Sequence, residues 1–364
     1  MIIAGRWSFR CAFEGTGNRE QRIWEQGYQR GTEDTEEEEG GRGNRKDVGA
    51  YRKWRALGKP RSHGGHGDRM RRLRIAAVGD VHDQWDERDN AILQGWDLDL
   101  VLFVGDFGNE SLTVVDCVSR LLLPKAVVLG NHDAWYTATP WGRKKCPYDR
   151  GRDDRFQRQL EMLEGDRVGY GVRDYPELGV SVVGGRPCSW GGSTWNLQEF
   201  YQSQFGVGSL QESGDRITAA MKAATQPIRL VLAHNGPFGL GDTPESPCGR
   251  DWNPIGSDYG DPDLTAAIRA SQEAGHPPAL VVFGHMHHRL RHTRQRLRQG
   301  FAQDEWGTVY LNVASVPRIV GKGDEMRRNF TLITLEGQRV TEADLVWTDN
   351  QGQIDRSSSY FKPL

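Results

Sequence analysis

Residues 73–82 read LRIAAVGDVH, a short apolar run that ends in a glycine, a carboxylate and an imidazole. A run of this length that is rich in aliphatic residues predicts a buried strand. The same arrangement returns four times later in the chain, and each time residue types that bind metal ions follow the apolar run. The four later segments are VLFVGDFGN (101–109), VVLGNHD (127–133), LVLAHNGP (230–237) and LVVFGHMH (280–287).

Short apolar runs alternate with helical patterns from about residue 72 onward, which predicts an α/β fold. The expected strands are Leu73–Val78, Leu98–Val104, Ala126–Leu129, Val180–Val183, Ile228–Ala233, Ala279–Phe283, Val309–Val313 and Phe330–Leu335. The expected helices are Ser111–Leu122, Arg155–Leu163, Arg216–Ala224 and Asp263–Ala274. Residues 141–213 are less regular, and we expect one or two strands and long loops there.

Polar side chains at these strand ends are candidate metal ligands, because ligands of open α/β sheets bind outside the carboxyl ends of the strands. The candidates are Asp80, His82, Asp106, Asn131, His234, His285 and His287. Carboxylate, imidazole and amide groups suit Mn²⁺, Fe or Zn²⁺. Seven ligands are too many for one tetrahedral ion but suit two ions that share a carboxylate. Each motif alone is a weak signal, whereas the ordered set of five is specific.

The ordered set resembles the calcineurin-like metallophosphoesterase family, whose motifs are GDxH, GDxx, GNHD/E, a later histidine and GHxH. Here they read GDVH (79–82), GDFG (105–108), GNHD (130–133), His234 and GHMH (284–287), and the resemblance covers about residues 72–347. It implies a four-layer α/β/β/α sandwich of two mixed sheets, with a metal site at the carboxyl ends of the strands.

The resemblance also implies a role for each candidate residue. One metal would be bound by Asp80, His82 and His287, the other by Asn131, His234 and His285, and Asp106 would bridge the two. His132 would face the scissile ester, and Asp133 would orient its imidazole. A departing alkoxide needs a proton or a positive charge, and an imidazole near pH 7 supplies either. The alternative for His132 and Asp133 is a purely structural turn pair.

The second motif distinguishes this chain from the protein Ser/Thr phosphatase branch. That branch has GDxVDRG, whereas residues 105–110 read GDFGNE and lack the arginine that clamps phosphate. Asn109 and Glu110 are either a pair that supports the site or a cap for the following helix. Arg186, in a Gly-rich loop, is either a phosphate contact or an exposed loop arginine, and nearby tryptophans either line a cleft or pack in the core.

The expected function is hydrolysis of a phosphate ester by a hydroxide that bridges two divalent ions (Mn, Fe or Zn). The expected substrate is a phosphorylated small molecule or a nucleotide-like compound. One alternative is a nuclease acting on DNA or RNA, with the arginines of residues 289–298 as its basic patch. The other alternative is a non-catalytic metal-binding scaffold of the same fold. The formal net charge of −2 does not favour a nucleic-acid partner.

Composition divides the chain into three parts. Residues 1–70 are rich in Gly, Arg and Glu without hydrophobic periodicity, so we expect a disordered extension or a mis-annotated start with translation beginning at Met70. Residues 71–350 form the expected metallophosphoesterase domain, and residues 351–364 an expected tail. With no apolar run long enough to cross a bilayer and no signal segment, we expect a cytoplasmic protein without a membrane partner.

Overall fold

The computed structural model describes residues 72–361, and the expected N-terminal extension lies outside these residues. The strands in the described range are β1 (Arg72–Val78), β2 (Leu100–Phe103), β3 (Lys125–Val127), β4 (Val172–Tyr175), β5 (Val180–Gly184), β6 (Ile228–Leu232), β7 (Leu280–Phe283), β8 (Phe301–Gln303), β9 (Val309–Asn312), β10 (Ile319–Val320), β11 (Arg327–Glu336), β12 (Arg339–Thr348) and β13 (Ile354–Phe361). The helices are α1 (Glu87–Gly95), α2 (Leu112–Ser119), α3 (Trp135–Ala138), α4 (Pro140–Lys145), α5 (Arg155–Met162), α6 (Gln198–Phe205), α7 (Leu210–Ala223) and α8 (Pro262–Glu273), with 3-10 turns at His132–Ala134 and Gly323–Glu325.

Two mixed sheets organise the described residues. The first has the strand order β13-β12-β11-β1-β2-β3, with β10 beside β11. In it, β1, β2 and β3 are parallel, whereas β11 to β13 form an antiparallel meander that joins β1. The second sheet has the order β4-β5-β6-β7-β9-β8, with a parallel centre and an antiparallel strand at each edge.

Alternation of side chains along the strands places one sheet face on the other sheet and the opposite face on helices. Ile75 of β1 and Leu230 of β6 belong to the same apolar core between the sheets. On the outer face of the first sheet, Ala76 packs in a second core that includes Val115 of α2. On the outer face of the second sheet, Val231 shares a core with residues of α7 and α8. The expected four-layer α/β/β/α sandwich is therefore confirmed.

All eight expected strands are present, and the parallel strands of both sheets end at the side where the five motifs follow them. The four expected helices are also present, with ends shifted by at most six residues. The irregular region contains β4 and β5, and it also contains the helix α6, which the sequence analysis did not predict. None of the helices in the described residues has the length and apolar character that a membrane crossing requires.

The expected C-terminal tail contains an edge strand. Ile354–Phe361 pairs with β12 in the antiparallel direction, so the first sheet continues past the expected domain boundary at residue 350. Most side chains of this strand are exposed, and Tyr360 and Phe361 at its end pack against the core between the sheets. Its sequence, IDRSSSYF, lacks the apolar run by which the other strands were predicted.

The core between the sheets provides a test of the layer arrangement. Leu102→Ala removes a side chain with 0% exposure from this core, and we expect the free energy of unfolding to fall by about 2–5 kcal/mol. Leu122→Ala is the matched control, because Leu122 is 80% exposed. Urea denaturation of both variants measures the difference, and equal losses would contradict the position of Leu102 in the core.

Candidate metal centre

Sharp backbone turns direct the candidate ligands away from the ends of the strands. Asp106 has a φ of 54°, His285 one of 66° and His82 one of 45°, all in the left-handed region that residues with a Cβ seldom adopt. Such a conformation costs about 1–3 kcal/mol per residue and persists only where the surrounding structure enforces it. Backbone strain at three of the seven candidate ligands therefore marks this edge of the sheets as a functional site.

Two motif glycines leave room for the carboxylates of the site. A Cβ on Gly130 would overlap Asp106 Oδ1 and would lie 2.6 Å from His234 Cε1. A Cβ on Gly284 would likewise overlap Asp80 Oδ1. The glycine in these motifs is therefore required by the close approach of the backbone to carboxylates of other strand ends.

Asp80, His82 and His287 form the first group of candidate ligands. His287 Nε2 lies 3.1 Å from Asp80 Oδ2 and 3.2 Å from His82 Nε2. The other oxygen of Asp80 accepts the backbone N–H of His285 at 3.1 Å, which fixes the carboxylate. Atoms bound about 2.0–2.2 Å from one ion are about 3–3.5 Å apart, so this spacing suits a single ion between the three side chains.

Asn131, His234 and His285 form the second group. Asn131 Oδ1 lies 2.9 Å from both His234 Nε2 and His285 Nδ1, and the two ring nitrogens are 3.2 Å apart. The other ring nitrogen of His234, Nδ1, lies 2.8 Å from the backbone oxygen of Val104. Because a carbonyl only accepts hydrogen bonds, Nδ1 carries the proton and Nε2 presents its lone pair to the group.

Asp106 lies between the two groups. Its Oδ1 is 3.4 Å from His234 Nε2, and its Oδ2 is 3.8 Å from His82 Nε2. The lone pair of His234 Nε2 thus faces two acceptor oxygens, one from Asp106 and one from Asn131. A cation at the centre would turn this repulsion into attraction, so the donor set fits a divalent metal ion.

Burial favours the neutral form of His82 and His285, and the neutral imidazole is the form that binds metals. Burial lowers the pKa of His82 to about 3, and it lowers the pKa of His285 well below that of a free imidazole. Burial also raises the pKa of Asp106, and the nearby charge of Asp80 adds to this shift. For Asp80 burial acts in the same direction, but His287, together with His234 and His82, outweighs it, and the three histidines hold the pKa of that carboxyl well below its usual range.

His132 adjoins both groups. Its ring centroid is 4.9 Å from that of His82, and its backbone N–H donates to Asp106 Oδ1 at 2.9 Å. The ring nitrogen Nδ1 lies 2.6 Å from Asn109 Oδ1, so Nδ1 donates to the amide oxygen. In the neutral ring the lone pair is then on Nε2. Asn109 follows Asp106 by three residues in the second motif, and that spacing was the only sequence signal for this contact.

Asp133 binds the backbone of the turns next to His132. Its Oδ2 accepts the backbone N–H groups of Asp106 at 2.9 Å and Gly130 at 2.7 Å. Its Oδ1 accepts the backbone N–H of Phe107 at 2.8 Å. Both oxygens of Asp133 thus hold the turns after β2 and β3, Asn109 contacts the ring, and the orienting role expected for Asp133 stays a prediction.

Arg186 is not placed to contact a phosphate. Its side chain is 3% exposed, and Nη2 donates to Asp261 Oδ1 at 2.8 Å, while Asp263 Oδ2 lies 3.3 Å from Nε. Both interpretations of this residue, a phosphate contact and an exposed loop arginine, are wrong, because two buried carboxylates neutralise the guanidinium inside the protein.

The family model described as calcineurin-like phosphoesterase matches residues 73–289. This chain belongs to the calcineurin-like phosphoesterase family. All seven candidate ligands of this calcineurin-like phosphoesterase come together at one edge of the two sheets, and they lie within the matched residues. Members of the family are generally metal-dependent hydrolases of phosphoesters.

Several solved structures are similar to this calcineurin-like phosphoesterase at low identity. They include TT1561 of Thermus thermophilus (11% identity, TM-score 0.42, 76% of this chain and 99% of that chain), purple acid phosphatase PPD1 from yellow lupin seeds (13%, 0.40, 79% and 53%) and a novel archaeal phosphodiesterase (11%, 0.31, 76% and 99%). None of the curated protein sequences matched the chain.

The close approach at Gly284 provides a test of the metal centre. Gly284→Ala places a methyl group against the Asp80 carboxylate, and we expect Mn²⁺ affinity to fall by about tenfold or more, since overpacking by one methyl typically costs about 1–3 kcal/mol. Gly95→Ala is the control, because a Cβ there meets no atom within 4 Å. Calorimetric titration with Mn²⁺ measures both variants, and unchanged affinity in Gly284→Ala would contradict the assignment.

Proposed function

We propose that this protein hydrolyses phosphate esters with two divalent metal ions, Mn, Fe or Zn, bound by the two groups of ligands that share Asp106. The observation that carries the proposal is the convergence of five strand-end motifs on these two groups. The substrate is a phosphorylated small molecule or a nucleotide-like compound. When bound, the ions would supply a hydroxide from a shared water and would neutralise negative charge on the phosphoryl oxygens.

The ligand side chains have separate tasks in this proposal. Asp80, His82 and His287 bind one ion, and Asn131, His234 and His285 bind the other. The support for Asp106 as the bridging ligand is that each of its oxygens faces a different group, at 3.4 Å and 3.8 Å from the nearest imidazole nitrogens. Backbone bonds to Asp80 and Asp106 hold both carboxylates in place before any ion binds.

His132 serves the departing group. Its Nδ1 proton is bound to Asn109, so the ring is held in one orientation. When Nε2 is protonated as well, the resulting imidazolium would deliver that second proton to the leaving oxygen and return to the neutral ring. His132 is 4% exposed, so the imidazole acts where little water competes for the developing charge. Asp133 accepts hydrogen bonds from the backbone of the turns that carry Asp106 and His132, and it acts only by positioning them.

The structure weakens one support of the nuclease alternative. Arg298, from the arginine-rich segment 289–298, is 5% exposed and donates to the backbone oxygens of Pro244, Ser246 and Gly249. A second arginine of that segment, Arg296, lies 3.0 Å from a Glu245 oxygen. These contacts reduce the basic patch that nucleic-acid binding would use. The scaffold alternative typically implies lost ligands, whereas every expected ligand is present here.

Asp106→Asn tests the shared carboxylate. We expect metal-dependent turnover to fall by about a thousandfold or more, because removing one charge weakens both metal sites and metal ions contribute several kcal/mol to such reactions. Hydrolysis of a nitrophenyl phosphate monoester and a nitrophenyl diester with Mn²⁺ measures the loss. Asp97→Asn is the control, because the Asp97 side chain is 98% exposed. Turnover at the wild-type rate in Asp106→Asn would refute the bridging role.

His132→Ala separates metal binding from proton transfer. We expect the variant to bind two Mn²⁺ ions per chain in a calorimetric titration. Turnover of an alkyl phosphate ester should fall by about 10²–10⁴-fold, because an alkoxide needs the proton, and turnover of a nitrophenyl ester should fall much less. Asn109→Ala should also slow the alkyl ester more than the nitrophenyl ester, with a loss of about tenfold in turnover of the alkyl ester. Wild-type rates of His132→Ala on the alkyl ester would show that the acid role is wrong.

A further inference from the structure

Three tryptophans continue from His132 as a row of rings, here called the tryptophan wall (Trp135, Trp141 and Trp190). His132 and Trp135 are stacked, with centroids 4.6 Å apart and planes inclined by 13°. Trp135 and Trp190 are stacked in turn, at 5.3 Å and 24°. Trp141 meets Trp135 edge-on at 5.7 Å. The wall therefore begins at the imidazole that serves the departing group.

The tryptophan wall is separate from the hydrophobic cores of the described residues. Trp85 and Trp195 pack into the core on the outer face of the first sheet, as tryptophans commonly do, whereas none of the three wall residues belongs to any of the three cores. Trp135 is 6% exposed, and Trp141 and Trp190 are half-buried. Trp141 and Trp190 therefore keep part of their surface exposed at the end of a row of rings that starts at His132.

Buried hydrogen bonds fix the wall relative to the metal centre. Ser189 Oγ donates to Asp261 Oδ1 at 2.9 Å and accepts the backbone N–H of Gly191, so the residues on both sides of Trp190 are held. The same Asp261 oxygen accepts from Arg186 at 2.8 Å and from Asn235, the neighbour of the ligand His234, at 3.1 Å. The carboxylate of Asp261 thus forms hydrogen bonds both next to Trp190 and next to the ligand His234.

A second buried carboxylate fixes the other end of the wall. Glu110 accepts the backbone N–H of Thr137 at 2.6 Å, within the helix that carries Trp135. Glu110 N donates to the backbone oxygen of His132 at 3.1 Å, so the same residue holds the turn of the imidazole. Aromatic surfaces held in place before binding lose little entropy when a ligand stacks on them, which is the condition for selective recognition.

We propose that the tryptophan wall binds a planar aromatic group on the leaving side of the substrate ester, with Trp190 as the residue that determines this preference. The inference rests on the proposed function, because the leaving side is defined by His132. A stacked aromatic ring gains more binding free energy than an aliphatic group of equal size, since indole and ligand rings interact face to face or edge to face. An aryl group and a nucleobase share this chemistry.

Benzyl and cyclohexylmethyl phosphate test the wall, because both leave as alkoxides of similar size and only one contains an aromatic ring. The full chain with Mn²⁺ should have a higher kcat/KM for the benzyl ester than for the cyclohexylmethyl ester. The comparison is made with the monoesters or with the methyl diesters. Trp190→Leu should lower kcat/KM for the benzyl ester by about tenfold, mainly through KM, and leave the cyclohexylmethyl ester unchanged. Trp190→Phe retains a ring and should retain most of the preference.

Trp306→Leu is the matched control. Trp306 is 49% exposed and precedes the amino end of β9, at the edge of the second sheet opposite to the metal centre, so neither ester should be affected. Equal losses for both esters in Trp190→Leu, or no loss for either, would overturn the proposal. The pair of a nucleoside 5′-phosphate and ribose 5-phosphate then distinguishes a nucleobase from a simple aryl ring.

Binding separates failure of the wall from failure of the catalytic proposal. Benzylphosphonate and cyclohexylmethylphosphonate are not hydrolysed, and calorimetric titration measures their affinity for the Mn²⁺-loaded protein. We expect benzylphosphonate to bind more tightly, and Trp190→Leu to remove the difference. If benzylphosphonate binds more tightly but no ester is hydrolysed, the catalytic proposal is contradicted and the tryptophan wall is supported. If esters are hydrolysed but the two phosphonates bind equally, only the proposal for the tryptophan wall is overturned.

Discussion

Three backbone N–H groups converge on the carboxylate of Asp133, and the geometry of the metal centre depends on that convergence. The donors belong to Asp106, Phe107 and Gly130, which form the turns after two neighbouring strands. In return, Asp106 accepts the N–H of His132, so the two turns brace each other through two carboxylates. Loss of the Asp133 acceptor would leave three buried donors unpaired, at about 1–3 kcal/mol each. The left-handed backbone of Asp106 is stable because of these bonds.

The sequence was sufficient to predict the parts of the fold that depend on buried apolar runs. All eight predicted strands exist, because each carries a cluster of buried aliphatic or aromatic side chains that the sequence displays as a short apolar run. The seven candidate ligands come together because parallel strands end at one edge. The strand Ile354–Phe361 was missed, since an exposed edge strand needs no apolar residues. Its pairing partner β12 has buried positions separated by half-buried ones and also lacks a continuous run.

Pairing between distant polar residues was not predictable from the sequence. Asn109 and Asp133 are both near His132 in the motifs, and only the turn geometry determines that the amide contacts the ring while the carboxylate binds the backbone. Arg186 and Arg298 look like loop arginines in the sequence, yet both are buried because carboxylates or carbonyls far along the chain surround them. Such partners follow from tertiary contacts, which have no local sequence pattern.

Each of the two ligand groups draws on both sheets. Asp80 and His82 follow a strand of the first sheet, whereas His287 follows a strand of the second, and Asn131 faces His234 and His285 across the same boundary. A bound ion would therefore be a cross-link between two layers that are otherwise joined mainly by apolar contact. Ligands that bind only the folded state stabilise it in proportion to the logarithm of their concentration. The stability of the folded chain would then rise with the supply of metal.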